Sequence, residues 1–173
     1  GSLKNEEGKV VSIEGINLSM KGVLDNSGNG VIIAGKSLKI DAGKTVNNSG
    51  SISSVTGLAV NSKGDFDNTS GSVTSGGDII AVVNDKLINN GGTIASTGSM
   101  NLAGNGIINT SQGKIICNGV LTVTGRLDNS GGEAASGGNL TLTSDGTLNN
   151  HGGSLSSDGD ISVTGSNLDI DNG

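Results

Sequence analysis

GRLDNSGGEAASGGNLTL, residues 125–142, and GTLNNHGGSLSSDGDISV, residues 146–163, align position for position at an offset of 21. Both stretches run through a glycine, an apolar-x-Asn triplet, a Gly-Gly step, a short apolar-x-Ser stretch, another glycine step and an apolar-x-apolar triplet. Working outward, the first triplet recurs as Leu3-Lys4-Asn5, Leu24-Asp25-Asn26, Val46-Asn47-Asn48, Phe66-Asp67-Asn68, Ile88-Asn89-Asn90, Ile107-Ile108-Asn109, Leu127-Asp128-Asn129, Leu148-Asn149-Asn150 and Ile170-Asp171-Asn172, its asparagines 19 to 22 residues apart. The second triplet keeps phase with it: Leu18-Ser19-Met20, Leu38-Lys39-Ile40, Leu58-Ala59-Val60, Ile79-Ile80-Ala81, Met100-Asn101-Leu102, Leu121-Thr122-Val123, Leu140-Thr141-Leu142 and Ile161-Ser162-Val163. Between the two lies a third apolar site, at Val10, Val31, Ile52, Val73, Ile94, Ile115, Ala134 and Leu155.

Period-2 alternation inside each triplet marks a strand with one face inward and one outward. Gly, Asn, Ser and Asp at the joints supply the positive φ that sharp corners need. A hairpin meander reverses direction at each turn and has no reason to hold three different strands in constant phase. A coil that completes one turn per repeat does, because each strand then lies beside its own copy. The expected fold is therefore an all-β, right-handed parallel β-helix of about eight coils with three short strands each, forming one repeat segment over residues 1–173. One asparagine per coil reads as a stacked amide ladder, since an amide carries both donor and acceptor. Its expected members are Asn5, Asn26, Asn48, Asn68, Asn90, Asn109, Asn129, Asn150 and Asn172.

Composition agrees with a thin, layered core. The chain has 32 glycines, no proline and one aromatic residue, Phe66, so Leu, Ile, Val, Met and Ala must fill the interior. Val, Ile and Thr recur throughout, unlike the composition of disordered chains, and the absence of proline suits backbone N–H groups committed to a ladder. A net charge of −6 from scattered residues offers no footprint for nucleic acid. No apolar run approaches the roughly 20 residues of a membrane span, and no signal peptide opens the sequence. The expected partners therefore include neither nucleic acid nor a membrane interior.

The unit G-x-L-x-N-x-G-G-x-I-x-S-x-G-x-L-x-L resembles the filamentous haemagglutinin repeat of large bacterial exoproteins exported by the two-partner route. Adhesins and the stalks of contact-dependent growth inhibition proteins carry this repeat. The resemblance covers essentially the whole chain. It implies a β-helical filament at the bacterial surface, an outer-membrane transporter as partner during export, further coils of a longer parent protein on either side, and a receptor on a host or target cell. The Asn-Pro motif of the secretion domain is missing, and no toxin module is visible, so the segment reads as interior stalk.

Candidate chemistry is sparse. His151 and Cys117 are single copies about two coils apart, and the cysteine takes a slot that neighbouring units fill with serine. Asp65 with Asp67, Asp158 with Asp160, and Asp169 with Asp171 form acidic pairs, but no consecutive units show the G-G-x-G-x-D pattern of a calcium roll. Threonine pairs on three successive units are too few for an ice-binding array. Half-motifs such as Gly28-Asn29-Gly30 lack the helix that would cap a phosphate. Polysaccharide-active β-helices build their sites from inserted loops carrying carboxylates, cations and aromatic platforms, and here the constant spacing inserts no loop. The expectation is a non-enzymatic stalk, without cofactor or metal, that presents a distal adhesive or toxin module. An adhesin whose own coils bind a receptor or glycan is the alternative, and a polysaccharide-active enzyme the second.

Overall fold

The computed structural model describes residues 1–169 of the chain. They form twenty-two strands and no helix. Every strand pairing is parallel, and partners sit about one repeat apart, as in Leu3↔Leu24, Val73↔Ile94 and Leu121↔Leu140. One stack is an eight-stranded sheet running from Lys9–Ser12 to Ser154–Ser157, one strand per coil, so the chain is a β-solenoid of eight turns.

The remaining strands belong to a 14-stranded sheet with two arms. One arm carries the apolar-x-Asn triplets and the other the apolar-x-apolar triplets. The arms are separate in the early coils and fuse in the middle ones, where Asp78–Ile88, Met100–Ile108 and Leu121–Asp128 each run continuously across two faces. The sequence predicts three short strands per coil throughout. In these coils the second corner is instead a bulge, with register shifts between Val83 and Lys86 and between Ala103 and Gly106, and a bulge bends a strand without ending its pairing. Gly125, at φ 125°, makes the same corner in the next coil, where an added Cβ would lie 1.8 Å from the Gly104 carbonyl oxygen.

Inward side chains stack like on like. Leu24, Phe66, Leu87, Ile107, Leu127 and Leu148 fill one column, and Ile52, Val73, Ile94, Ile115 and Ala134 another, all essentially without solvent contact. No coil could bury its apolar face alone, so the core exists only between neighbours. The two end coils have a neighbour on one side only. Leu3, Val10, Ile16 and Leu18 are accordingly half-buried, and Ile161 and Leu168 are 48% and 51% exposed.

The register differs from the expected one in four coils. Thr45 and Leu87, not Val46 and Ile88, pair with Phe66 and point inward. Ile32, not Val31, pairs with Val10 and Ile52, because the corner after Asn26 holds one extra residue. In the first coil Ile16 and Leu18, not Leu18 and Met20, align with Leu38 and Ile40. A one-residue slip exchanges the faces of a strand, and hydrophobicity alone misassigns it wherever an outward position is also apolar.

Thr45 shows what the backbone register imposes. Its hydroxyl is fully buried and has no hydrogen-bond partner. Replacing Thr45 by valine keeps the shape and removes the orphaned hydroxyl, and is expected to raise the unfolding free energy by about 1 kcal/mol in a urea titration.

Candidate functional site

The most ordered polar feature of the chain is an axial column of asparagine amides at the corner that follows each apolar-x-Asn strand. Each backbone N–H from Asn5 to Asn129 bonds a carbonyl of the next coil at 2.7 Å, as Asn5 does to Asp25 and Asn129 to Asn149. That anchor turns the side chain into the interior. There Asn5 Nδ2 donates to Asn26 Oδ1, and the pattern continues through Asn47, Asn68, Asn89, Asn109, Asn129 and Asn150, each bond 2.6–2.8 Å. All seven point the same way along the axis.

Each amide does more than bind its neighbour. Asn68 Nδ2 also reaches the carbonyls of Gly71 in its own coil, at 3.3 Å, and of Thr93 in the next, at 3.2 Å. Asn26, Asn47, Asn89 and Asn129 repeat the arrangement with their own glycine and the residue after the next one. The ladder thus adds a second donor to corner carbonyls such as those of Gly50 and Gly71, which also accept a backbone N–H of the next coil.

Two expected members are corrected. Asn48 and Asn90 stand one residue outside the column, and Asn47 and Asn89 occupy it. Asn48 Nδ2 donates instead to Asp67 Oδ2 at 3.2 Å, while its Oδ1 is buried without a partner. Asn90 Oδ1 accepts from the Thr110 hydroxyl at 2.7 Å. Asn172 lies outside the described residues.

A glycine column beside the ladder, part of it the second glycine of the Gly-Gly step, explains the choice. Gly50, Gly71, Gly92, Gly132 and Gly153 each follow a ladder asparagine by three residues, and Gly30 and Gly113 by four. A Cβ on any of these seven would come within 2.2 Å of a backbone oxygen of the preceding coil, and within about 3 Å of the ladder amides. Only glycine lets the corners stack this closely. Asn-x-x-Gly is the signal that would have selected Asn47 over Asn48 and Asn89 over Asn90.

Outside the ladder, aspartates brace the corners. Asp25, Asp67 and Asp128 accept from both the N–H and the hydroxyl two residues on, at Ser27, Thr69 and Ser130. The Ser27 hydroxyl holds the Asp25 carboxyl below the usual carboxylate range. Asp65 meets Lys44 at 3.5 Å and accepts from the Lys86 N–H, so the Asp65 and Asp67 pair is engaged in corner and coil-to-coil bonds.

The opposite corner carries a second small-residue column, in which Ser54 donates to Ser75 at 3.1 Å. Ser96, Cys117 and Ser136 follow in register. Cys117 is buried there, its thiol bonding the Gly119 carbonyl, and burial pushes that thiol up. His151 is exposed three residues before Ser154–Ser157, whereas Cys117 closes Lys114–Cys117 two strands away. The fold therefore keeps them at opposite edges of one face. Among the described residues no three His, Cys, Asp or Glu side chains converge. Arg126 faces Asp145 on the adjacent coil, 3.7 Å away and exposed.

Comparison with protein families matches the haemagglutinin repeat three times, over residues 10–70, 68–131 and 132–173. The chain belongs to the haemagglutinin repeat family. A search of curated proteins and of solved structures returns no match. The haemagglutinin repeat is a structural and adhesive repeat typical of secreted surface proteins.

Proposed function

We propose that this haemagglutinin repeat segment is a rigid rod in a secreted bacterial surface filament, and that it holds a distal adhesive or toxin module away from the cell. An outer-membrane transporter of the two-partner type is its partner during export, and further coils of the parent protein continue the stack. The observation that supports this reading is the uninterrupted axial bonding. Three strand stacks and the amide ladder connect each coil to the next, and among the described residues no inserted loop breaks the series. Such a structure transmits force through many bonds loaded together, and its length scales with repeat number.

Deleting whole coils from the parent filament tests the reading. Removal of all eight is expected to shorten the rod by about 38 Å, at about 4.8 Å per coil, as seen by electron microscopy, with export and distal binding retained. Unchanged filament length contradicts the proposal. Loss of cell binding with export intact assigns the adhesive surface to these coils instead.

A further inference from the structure

One solvent face of the rod is self-complementary. It is the outward side of Ser37–Ala42, Gly57–Ser62 and the strands stacked on them. Two columns of side chains run up this face, two residues apart on each strand. The first carries Lys39, Ala59, Ile80, Asn101 and Thr122, and the second carries Asp41, Asn61, Val82, Ala103 and Thr124 on the same coils. Ile80 and Val82 are 49% and 46% exposed, an adjacent pair of β-branched apolar side chains at mid-rod. Among the described residues neither Lys39 nor Asp41 takes part in an ion pair of its own chain.

We infer that this face pairs two copies of the chain side by side, about a two-fold axis parallel to the rod. Such an axis leaves each coil opposite the same coil of the partner and exchanges the two columns. Lys39 then meets the second copy's Asp41, Ile80 its Val82, and Thr122 its Thr124. These three contacts match charge to opposite charge, apolar to apolar and hydroxyl to hydroxyl, twice over. On the coils between them Ala59 meets Asn61 and Asn101 meets Ala103, small uncharged pairs that oppose no like charges. Antiparallel copies would set the charged early coils against the threonine coils and lose the match.

The available area is adequate. Strands of four to six residues are roughly 13–20 Å wide and eight coils are about 38 Å long, giving about 500–750 Å² per copy, toward the lower end of the range for specific interfaces. Flat sheet faces of β-branched residues pack well against one another. Lateral pairing goes beyond the stalk role and stands independently of what the filament presents.

Sedimentation equilibrium on the 173-residue chain tests it, with circular dichroism confirming that the outward substitutions leave the fold intact. The expected result is a monomer–dimer equilibrium, weakened roughly a hundredfold by Ile80→Lys and less by the milder Ile80→Thr. Lys39→Asp places carboxylates opposite one another and is expected to weaken pairing about tenfold, whereas the combined Lys39→Asp and Asp41→Lys exchange restores it. A chain that stays monomeric at every accessible concentration overturns the inference. So does a dimer indifferent to Ile80→Lys, or one that the single and double charge variants affect equally.

Discussion

Replacing Asn68 by aspartate is expected to lower the unfolding free energy by roughly 4 kcal/mol, or to prevent folding at ambient temperature. One carboxylate oxygen can still accept from Asn47. The other takes the place of an Nδ2 that donates to Asn89 Oδ1 at 2.7 Å, to the Gly71 carbonyl and to the Thr93 carbonyl. Three acceptors then face a buried anion. The deficit shrinks as the pH falls, because a protonated carboxyl regains one donor. The same change at Asn90, a half-buried neighbour outside the column whose carboxylate could still accept from the Thr110 hydroxyl, is expected to cost less than about 1 kcal/mol. Urea titrations of the two variants at pH 7 and pH 4 separate these cases, and equal losses would contradict the assigned ladder.

Gly71→Ala is the second large effect. The added methyl would sit 2.1 Å from the Asn47 carbonyl oxygen and 2.5 Å from Asn68 Oδ1. The first obstacle is backbone held in the axial bonds, so the coils themselves must part. A loss of at least about 3 kcal/mol follows, and because the clash lies between coils it weakens the stack on both sides. Gly131→Ala provides the contrast. That glycine has φ 63° but nothing within 4 Å of its hypothetical Cβ, so only the left-handed backbone penalty of about 1 kcal/mol applies. Thermal melts of both variants should differ markedly, and similar melting temperatures would remove the steric role given to the glycine column.

Class and period were legible in the sequence because they rest on redundancy. Three apolar sites recur in phase, and a parallel coil is the arrangement that puts each beside its own copy. Register was less legible, for reasons visible at single residues. Val46 is apolar and Thr45 is not, yet Thr45 points inward, because its strand must pair Leu24 with Phe66. The fully buried hydroxyl is the cost of keeping that pairing. Val31 and Ile32 are both apolar, and an extra corner residue decides between them. Gly28 and Asn29 both take positive φ there, as do Ser111 and Gln112 in the other enlarged corner.

The ladder was legible in kind and misplaced in detail at Asn-Asn pairs. Matching asparagine to the apolar residue two positions before it selected Asn48 and Asn90, since Val46 and Ile88 are the more obvious core candidates. Distance to the following glycine selects Asn47 and Asn89. Backbone approach between coils limits that distance, whereas hydrophobicity is permissive. The outward slots shared by Lys39 with Asp41 and by Thr122 with Thr124 were legible from the period, but lateral pairing was not, because it depends on how one rod meets another.

Hydrogen exchange of the asparagine side-chain amides, resolved by NMR, tests the central claim most directly. Strong protection is expected for Asn26, Asn47, Asn68, Asn89, Asn109 and Asn129, whose NH₂ groups are buried in axial bonds, with fast exchange at Asn48 and Asn90. Protection at Asn48 and Asn90 in place of Asn47 and Asn89, or fast exchange throughout, would contradict a solenoid held together along its axis by an amide ladder.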